Sequence, residues 1–177
     1  MFPMMVGSHH NALLITLEHR YYGASQPFED WSLENLKYLR SEHALADIAY
    51  FIEQINEEVG REKPMDWVVI GGSYPGALSA WFKSKYPDHA VGAWSSSGVI
   101  HAIKDFKMFD FDIYERTDSS SPDCSDAIRR SIKLVTDDFQ TNEGTDKVCD
   151  LFGVSPCSDL NKTDWWFFFA DIFTMGV

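Results

Sequence analysis

The fold depends most on residues 68–77, Val68-Val69-Ile70-Gly71-Gly72-Ser73-Tyr74-Pro75-Gly76-Ala77. The apolar run Trp67–Ile70 predicts a buried strand, and the two glycines after it predict a tight turn into a helix. A serine at such a turn takes a strained backbone conformation that projects its hydroxyl away from the sheet. We therefore predict a nucleophile elbow with Ser73 at its tip and Gly71 where strand and helix approach closely.

The stretch departs from the standard Gly-x-Ser-x-Gly pattern, because Pro75 stands two positions after the serine and Gly76 three. Proline is tolerated in a first helical turn, but it biases Tyr74 away from the helical region, so we expect a slightly altered elbow. The Tyr74 amide is the predicted donor to an oxyanion, and the positive end of the helix dipole is expected to stabilise the negative charge there. The alternative is a plain packing turn or a phosphate loop; no Lys follows the glycines, which disfavours the phosphate loop.

The flanking segments predict alternating strands and helices. Ala12–Leu17 and Ala90–Ser95 are short apolar runs typical of buried parallel strands. Between Ser41 and Gly60 the apolar residues recur at three- and four-residue steps, which predicts a first helix. Ser41 is the candidate N-cap of this helix, and Gly60 is expected to end it. A second helix is predicted over Ala77–Tyr86. This order predicts an α/β fold with a parallel sheet.

The second part of the chain, residues 101–177, has a helical pattern. Apolar spacing predicts three helical pieces: Ile128–Phe139, Val148–Phe152 and Trp165–Phe173. The polar segment Arg116–Asp123, with three consecutive serines, predicts a loop. We therefore expect two domains, 1–100 and 101–177, the second of them helical.

Composition excludes several classes of partner. The 177 residues carry 15 Lys and Arg against 27 Asp and Glu, a net charge of −12. Because no basic stripe is available to neutralise phosphates, we expect neither nucleic acid nor an anionic membrane as a partner. No apolar run reaches the ~18 residues of a membrane span, and Met1–Gly7 lacks the basic start of a secretory signal. The oligomeric state is not defined by these features.

The cysteines Cys124, Cys149 and Cys157 leave two interpretations open. One is reduced, buried thiols in a cytosolic protein. The other is a disulfide framework in which Cys124 pairs outside these residues. The tripeptide Asn161-Lys162-Thr163 is an N-glycosylation sequon, a pattern that also arises by chance.

Three motifs in order resemble one peptidase family. They are Glu18–Pro27 (EHRYYGASQP), Tyr38–Asp47 (YLRSEHALAD) and Gly71–Pro87, which begins GGSYPG and continues through AWF to YP. The pattern is similar to the family of lysosomal Pro-X carboxypeptidase, dipeptidyl peptidase II and thymus-specific serine protease, with His43 where Gln is usual. The second part of the chain resembles the start of that family's helical cap less sharply, through Cys124–Arg129 and an aromatic run.

The resemblance implies a partial α/β-hydrolase sheet in 1–100 followed by the start of a helical cap in 101–177. It implies a serine exopeptidase, lysosomal or secreted, that cleaves proline-containing peptides through an acyl-enzyme and needs no cofactor or metal. By carry-over Ser73 is the nucleophile and the Tyr74 amide an oxyanion donor. For three residues of the first motif, Glu18, Arg20 and Tyr21, the resemblance implies a structural brace near the site; a direct substrate contact is the alternative. Whether dipeptides leave the N-terminus or single residues the C-terminus stays open.

The acid and base of the catalytic triad are expected to be missing from this chain. In this fold they follow the serine on later loops, and only His89 and His101 come after Ser73. His89 is expected at the far end of the helix, and His101 at the entrance to the cap. We therefore expect a fragment without its triad Asp and His, and with very low activity. A non-catalytic remnant or binding module on the same scaffold, or an esterase, are the alternatives.

Overall fold

The computed structural model describes residues 2–60, 62–154, 157 and 161–175. The chain forms two compact units, Met1–Ala102 and Ile103–Val177. The first unit contains α1 (Phe2–His9), α2 (Leu33–Leu36), α3 (Ser41–Val59), β1 (Val68–Gly72), α4 (Tyr74–Lys85) and β2 (Gly92–Ser96). The second contains α5 (Phe109–Ser120), α6 (Pro122–Asp138), α7 (Asn142–Phe152) and α8 (Lys162–Met175). Among the helices in the described ranges, none combines the length and apolarity that crossing a bilayer requires.

A parallel pair of strands lies within the first unit. β1 and β2 pair in register from Val68 opposite Gly92 to Gly72 opposite Ser96, and α4, which connects them, packs against both. The predicted α/β class with a parallel sheet is confirmed. The predicted strand at Ala12–Leu17 is wrong, since these residues form no ladder with any described segment. An apolar run becomes a strand only where a neighbouring edge pairs with it.

The core of the first unit joins α3 to α4. It consists of small and aliphatic side chains around one aromatic ring: Ala44, Leu45, Ala49, Ile52, Leu78, Phe82 and Ala90. The predicted end of α3 is confirmed, because Gly60 follows it with φ 63°, a left-handed conformation that glycine adopts at little cost. The predicted cap is wrong by one residue: Arg40 occupies the N-cap and Ser41 is already helical.

The core of the second unit is mainly aromatic and brings α6, α7 and α8 together. Its buried members are Val135, Phe139, Val148, Cys149, Trp165 and Phe169. The three predicted helical pieces are confirmed as parts of longer helices, except that Phe139 is the C-cap of α6 and not a member of it. The loop predicted at Arg116–Asp123 is wrong, because α5 runs to Ser120 and α6 begins at Pro122. Ser121 separates them alone, and its side chain accepts the Asp123 N–H and caps α6.

The three cysteines divide into a pair and a single thiol. Cys149 and Cys157 form a disulfide, with Cα atoms 5.6 Å apart, and Cys124 is an exposed free cysteine. The interpretation of all three as reduced thiols is therefore wrong for this pair. That Cys124 pairs outside these residues stays a prediction.

Candidate active site

Ser73 stands at the junction of β1 and α4. Its backbone has φ 60° and ψ −126°, a region that costs an L-residue of order 1–3 kcal/mol. The residue is exposed, and no group in the described part of the chain hydrogen-bonds its hydroxyl. The strained turn thus presents an unengaged hydroxyl at the carboxyl end of the parallel strand β1. The predicted burial of this strand is wrong, since its residues are exposed or only partly buried.

Two glycines allow the close approach of backbones that maintains this turn. A Cβ added to Gly71 would overlap the carbonyl group of Pro75, which is backbone and cannot move aside. A Cβ on Gly76 would lie 2.9 Å from the Ser96 carbonyl oxygen, at the end of β2. The glycine three positions after Ser73 therefore permits the contact between helix and strand that the pattern requires.

Pro75 does not delay the start of α4. Tyr74 is its first residue, so the expected displacement of Tyr74 from the helix is wrong. Pro75 lies in the first turn, where a missing N–H leaves no helical bond unmade. Both backbone groups of Ser73 are engaged: its N–H donates to Ser96 O at 3.0 Å, and its carbonyl accepts from Ala77 N at 3.0 Å.

The Tyr74 side chain joins a chain of hydrogen bonds that fixes the residue next to Ser73. His19 Nδ1 lies 2.7 Å from the Arg20 carbonyl oxygen, which can only accept, so Nδ1 carries a proton. In a neutral ring Nε2 then accepts from the Tyr74 hydroxyl, 3.1 Å away. The Tyr74 oxygen in turn accepts from Ser41 Oγ at 3.2 Å.

This arrangement brings one residue of each of the three motifs together in space. His19 belongs to the first, Ser41 to the second and Tyr74 to the third, so all three meet at the Tyr74 hydroxyl. His19 and Ser41 were not predicted as site residues from the sequence. Their membership of the motifs was the available signal, but apolar periodicity does not show which polar side chains pair.

The brace predicted for the first motif is present in the structure. Arg20 donates from Nε to Asp47 Oδ2 and from Nη2 to Asp47 Oδ1, each at 2.6 Å, and joins the first motif to the second. This hydrogen bonding to Asp47 raises the pKa of Arg20. Tyr21 donates its hydroxyl to the Asn35 carbonyl. The Glu18 carboxylate accepts the Ser25 N–H at 2.7 Å, and this bonding to Ser25 lowers the pKa of Glu18.

No histidine in the described ranges hydrogen-bonds the candidate nucleophile Ser73. His89 lies beyond the carboxyl end of α4, as expected, and pairs with Glu53 at 2.8 Å. His101 is exposed. His19 is engaged in the hydrogen-bond chain at Tyr74. That these residues lack a base for Ser73 stays a prediction.

A cavity of about 600 Å³ lies beside β1. Apolar side chains of β1, α3 and the segment 15–22 form most of its wall, and the Arg20–Asp47 pair and Tyr74 contribute polar groups. Tyr74 lines this cavity, but Ser73 does not. The cavity therefore adjoins the elbow at Tyr74 and not at the Ser73 hydroxyl.

Comparisons with known proteins agree with the motifs. A family model described as serine carboxypeptidase S28 matches residues 2–176. The chain is 35% identical over 159 residues to the lysosomal Pro-X carboxypeptidase of Homo sapiens, covering 86% of the chain and 32% of that protein. It is 41% identical over 128 residues to the Bos taurus Pro-X carboxypeptidase, covering 68% and 25%. With the thymus-specific serine protease of Mus musculus it shares 39% identity over 98 residues, covering 55% and 19%.

The chain spans about a third or less of the length of the curated relatives it matches. Within that span the match includes the elbow, the brace and the helical second unit. The resemblance indicated by the three motifs is thus confirmed, and the chain belongs to the serine carboxypeptidase S28 family.

Proposed function

We propose that this chain carries the nucleophile of a serine exopeptidase that hydrolyses peptide bonds next to proline. The backbone of Ser73 supports this most directly, with φ 60° and ψ −126° at a strand-to-helix junction and an exposed side chain. Such a conformation persists only where the surrounding structure enforces it. Family membership supports the reaction class, and the name of the Pro-X carboxypeptidase relatives supports proline as the recognised residue.

In the proposed reaction the Ser73 oxygen bonds to the carbonyl carbon of the scissile peptide while its proton passes to a base. The Tyr74 N–H, at the positive end of α4, donates to the resulting oxyanion. The leaving amine then takes the proton, and water cleaves the acyl-serine ester to restore the hydroxyl. The bonds from His19 and Ser41 to the Tyr74 side chain hold this residue, and with it the donor, in place.

The base and the acid of the triad are assigned to sequence outside these 177 residues. Two observations support this: no described histidine hydrogen-bonds Ser73, and the relatives are about three times as long. The first unit is then part of an α/β-hydrolase domain, and the second is part of a helical cap. A lysosomal or secreted location is supported by the relatives' names and by the Cys149–Cys157 disulfide, which is typical of oxidising compartments.

A chimera tests the nucleophile separately from the base. Residues 12–98 replace the matching segment of Pro-X carboxypeptidase, which supplies the rest of the triad. We expect hydrolysis of a proline-containing peptide, and a loss of about 10⁴-fold or more in turnover with Ser73→Ala. Ser84→Ala, at an exposed serine of the same helix, is the matched control and should leave turnover unchanged.

Two results would contradict the proposal. One is a chimera whose turnover survives Ser73→Ala; the other is a folded chimera without activity. Assay of the 177-residue chain alone tests the assignment of the base. Turnover comparable to that of the chimera, abolished by Ser73→Ala, would show that these residues contain a base after all.

A further inference from the structure

Asn161 caps the last helix of the second unit. Its side-chain oxygen accepts the backbone N–H groups of Thr163, at 2.9 Å, and Asp164, at 3.1 Å. The Asp164 carboxylate accepts the Asn161 N–H at 3.1 Å in return, and the Asn161 carbonyl accepts from Trp165 N at 3.2 Å. This reciprocal pattern is a capping box, which satisfies the N–H groups that the first turn of α8 leaves free.

The capping bonds determine which way the Asn161 amide faces. Only the oxygen of an amide can accept two N–H donors, so Oδ1 faces the first turn of the helix. Nδ2 is the amide atom that makes no capping bond. No described residue accepts a hydrogen bond from Nδ2. Asn161 and Thr163 are both exposed. The amide nitrogen is therefore accessible and takes no part in holding the helix.

The same nitrogen belongs to the single Asn-x-Ser/Thr tripeptide of the 177 residues, Asn161-Lys162-Thr163. A second observation indicates the compartment in which such tripeptides are modified. Cys149 and Cys157 form a disulfide in the same unit, ending four residues before Asn161. Disulfides form in the oxidising secretory pathway, where asparagine glycosylation also takes place.

We propose that Asn161 carries an N-linked oligosaccharide. Its donor is an oligosaccharide joined through a diphosphate to a lipid. Nδ2 bonds to C1 of the first sugar, the bond from C1 to the phosphate oxygen breaks, Nδ2 gives up one proton, and the lipid diphosphate leaves. The modified amide keeps its carbonyl oxygen, so Oδ1 still accepts from Thr163 and Asp164. The sugar is thus accommodated without loss of the cap on α8, the helix that places Trp165 in the second core.

A glycan on Asn161 is independent of the proposed peptidase activity. The test is to express the full chain with a cleavable secretion leader in cultured eukaryotic cells. We then compare its mass by spectrometry before and after peptide N-glycosidase. The expected result is one oligosaccharide in the secretory fraction, and an aspartate at position 161 after the enzyme. A chain from that fraction with its disulfide formed and Asn161 unmodified would overturn the proposal.

Three variants separate the glycan from the cap. Thr163→Ala destroys the sequon and keeps the Asn161 side chain, whereas Asn161→Asp removes the glycan and keeps a cap acceptor. Asn161→Ala removes both. We expect all three to lack the oligosaccharide, and only Asn161→Ala to unfold at a lower urea concentration than the enzymatically deglycosylated chain. An oligosaccharide that persists in Thr163→Ala, or an Asn161→Ala variant as stable as the deglycosylated chain, would contradict this assignment.

Discussion

The two compact units maintain their key residues in different ways. In the first, the backbone itself is constrained, since Gly71 and Gly76 allow strand and helix to meet and Ser73 is held at a positive φ. In the second, large rings pack against one another, with the Trp165 and Phe169 centroids 5.4 Å apart beside a disulfide. The local structure of the first unit therefore depends on its smallest residues at the elbow, and that of the second unit depends on the largest side chains of its core.

The largest loss of stability is expected in the aromatic core of the second unit. Trp165 is 1% exposed, so Trp165→Ala should lower the free energy of unfolding by about 3–5 kcal/mol. Phe167, two residues along the same helix, is 71% exposed, and Phe167→Ala should change it by less than about 0.5 kcal/mol. Urea unfolding followed by circular dichroism measures both. Equal losses would show that α8 does not pack as described.

The next largest effect is expected at the elbow, where adding a methyl group should be harmful. Gly71→Ala should destabilise the first unit by about 1–3 kcal/mol, because its Cβ would overlap the Pro75 carbonyl. Gly92→Ala is the matched control. Gly92 lies in the neighbouring strand β2, and a Cβ added to it would have no atom within 4 Å. The difference between their urea midpoints is the measurement. A Gly71→Ala variant as stable as Gly92→Ala would contradict the close approach of β1 and α4.

A smaller effect is expected from the hydroxyl at which the three motifs meet. Tyr74→Phe removes the partner of His19 and Ser41 and should cost about 1 kcal/mol of stability. Tyr22→Phe removes a hydroxyl from a ring 4.9 Å from the same histidine, and this hydroxyl has no described partner. Thermal unfolding should therefore distinguish the two variants. If Tyr22→Phe is equally harmful, the loss in Tyr74→Phe does not come from the hydrogen bonds to His19 and Ser41.

The smallest effect is expected from acid at Glu18. Its pKa is lowered from the ordinary 4.5 by the bonds to Ser25, so the ionised form is favoured by folding. This contribution is present above pH 4.5 and is lost as the pH falls through the lowered value. The Ser25 amide is measured by hydrogen exchange in the unchanged protein and in Glu18→Gln, the uncharged control. As the pH falls, the exchange rate in the unchanged protein should rise relative to the rate in Glu18→Gln. A ratio of the two exchange rates that does not change with pH would contradict this role.

The sequence predicted those features that depend on short-range geometry. The elbow follows from glycines and a serine within six residues, and the end of α3 follows from one glycine. The strand expected at Ala12–Leu17 failed because pairing depends on a partner edge that the run itself does not specify. The loop expected at Arg116–Asp123 failed because polar residues there end one helix and cap the next.

The turn at Ser73 and Tyr74 was predictable from the sequence, but the contacts that support it were not; the catalytic roles of both residues stay predictions. His19 and Tyr74 are 55 residues apart, and Ser41 and Tyr74 are 33 apart. Hydrophobic periodicity contains no information about which polar side chains meet over such separations. The choice of Cys157 as the partner of Cys149 was likewise undetermined, because three cysteines allow several pairings.

The most direct test of Ser73 as the nucleophile is to locate a covalent adduct. The chimera with residues 12–98 is treated with a fluorophosphonate, digested and sequenced by mass spectrometry. We predict that the phosphonyl group lies on Ser73, and that Ser73→Ala abolishes the adduct while Ser84→Ala retains it. An active chimera in which the group lies on any other residue would contradict the central claim.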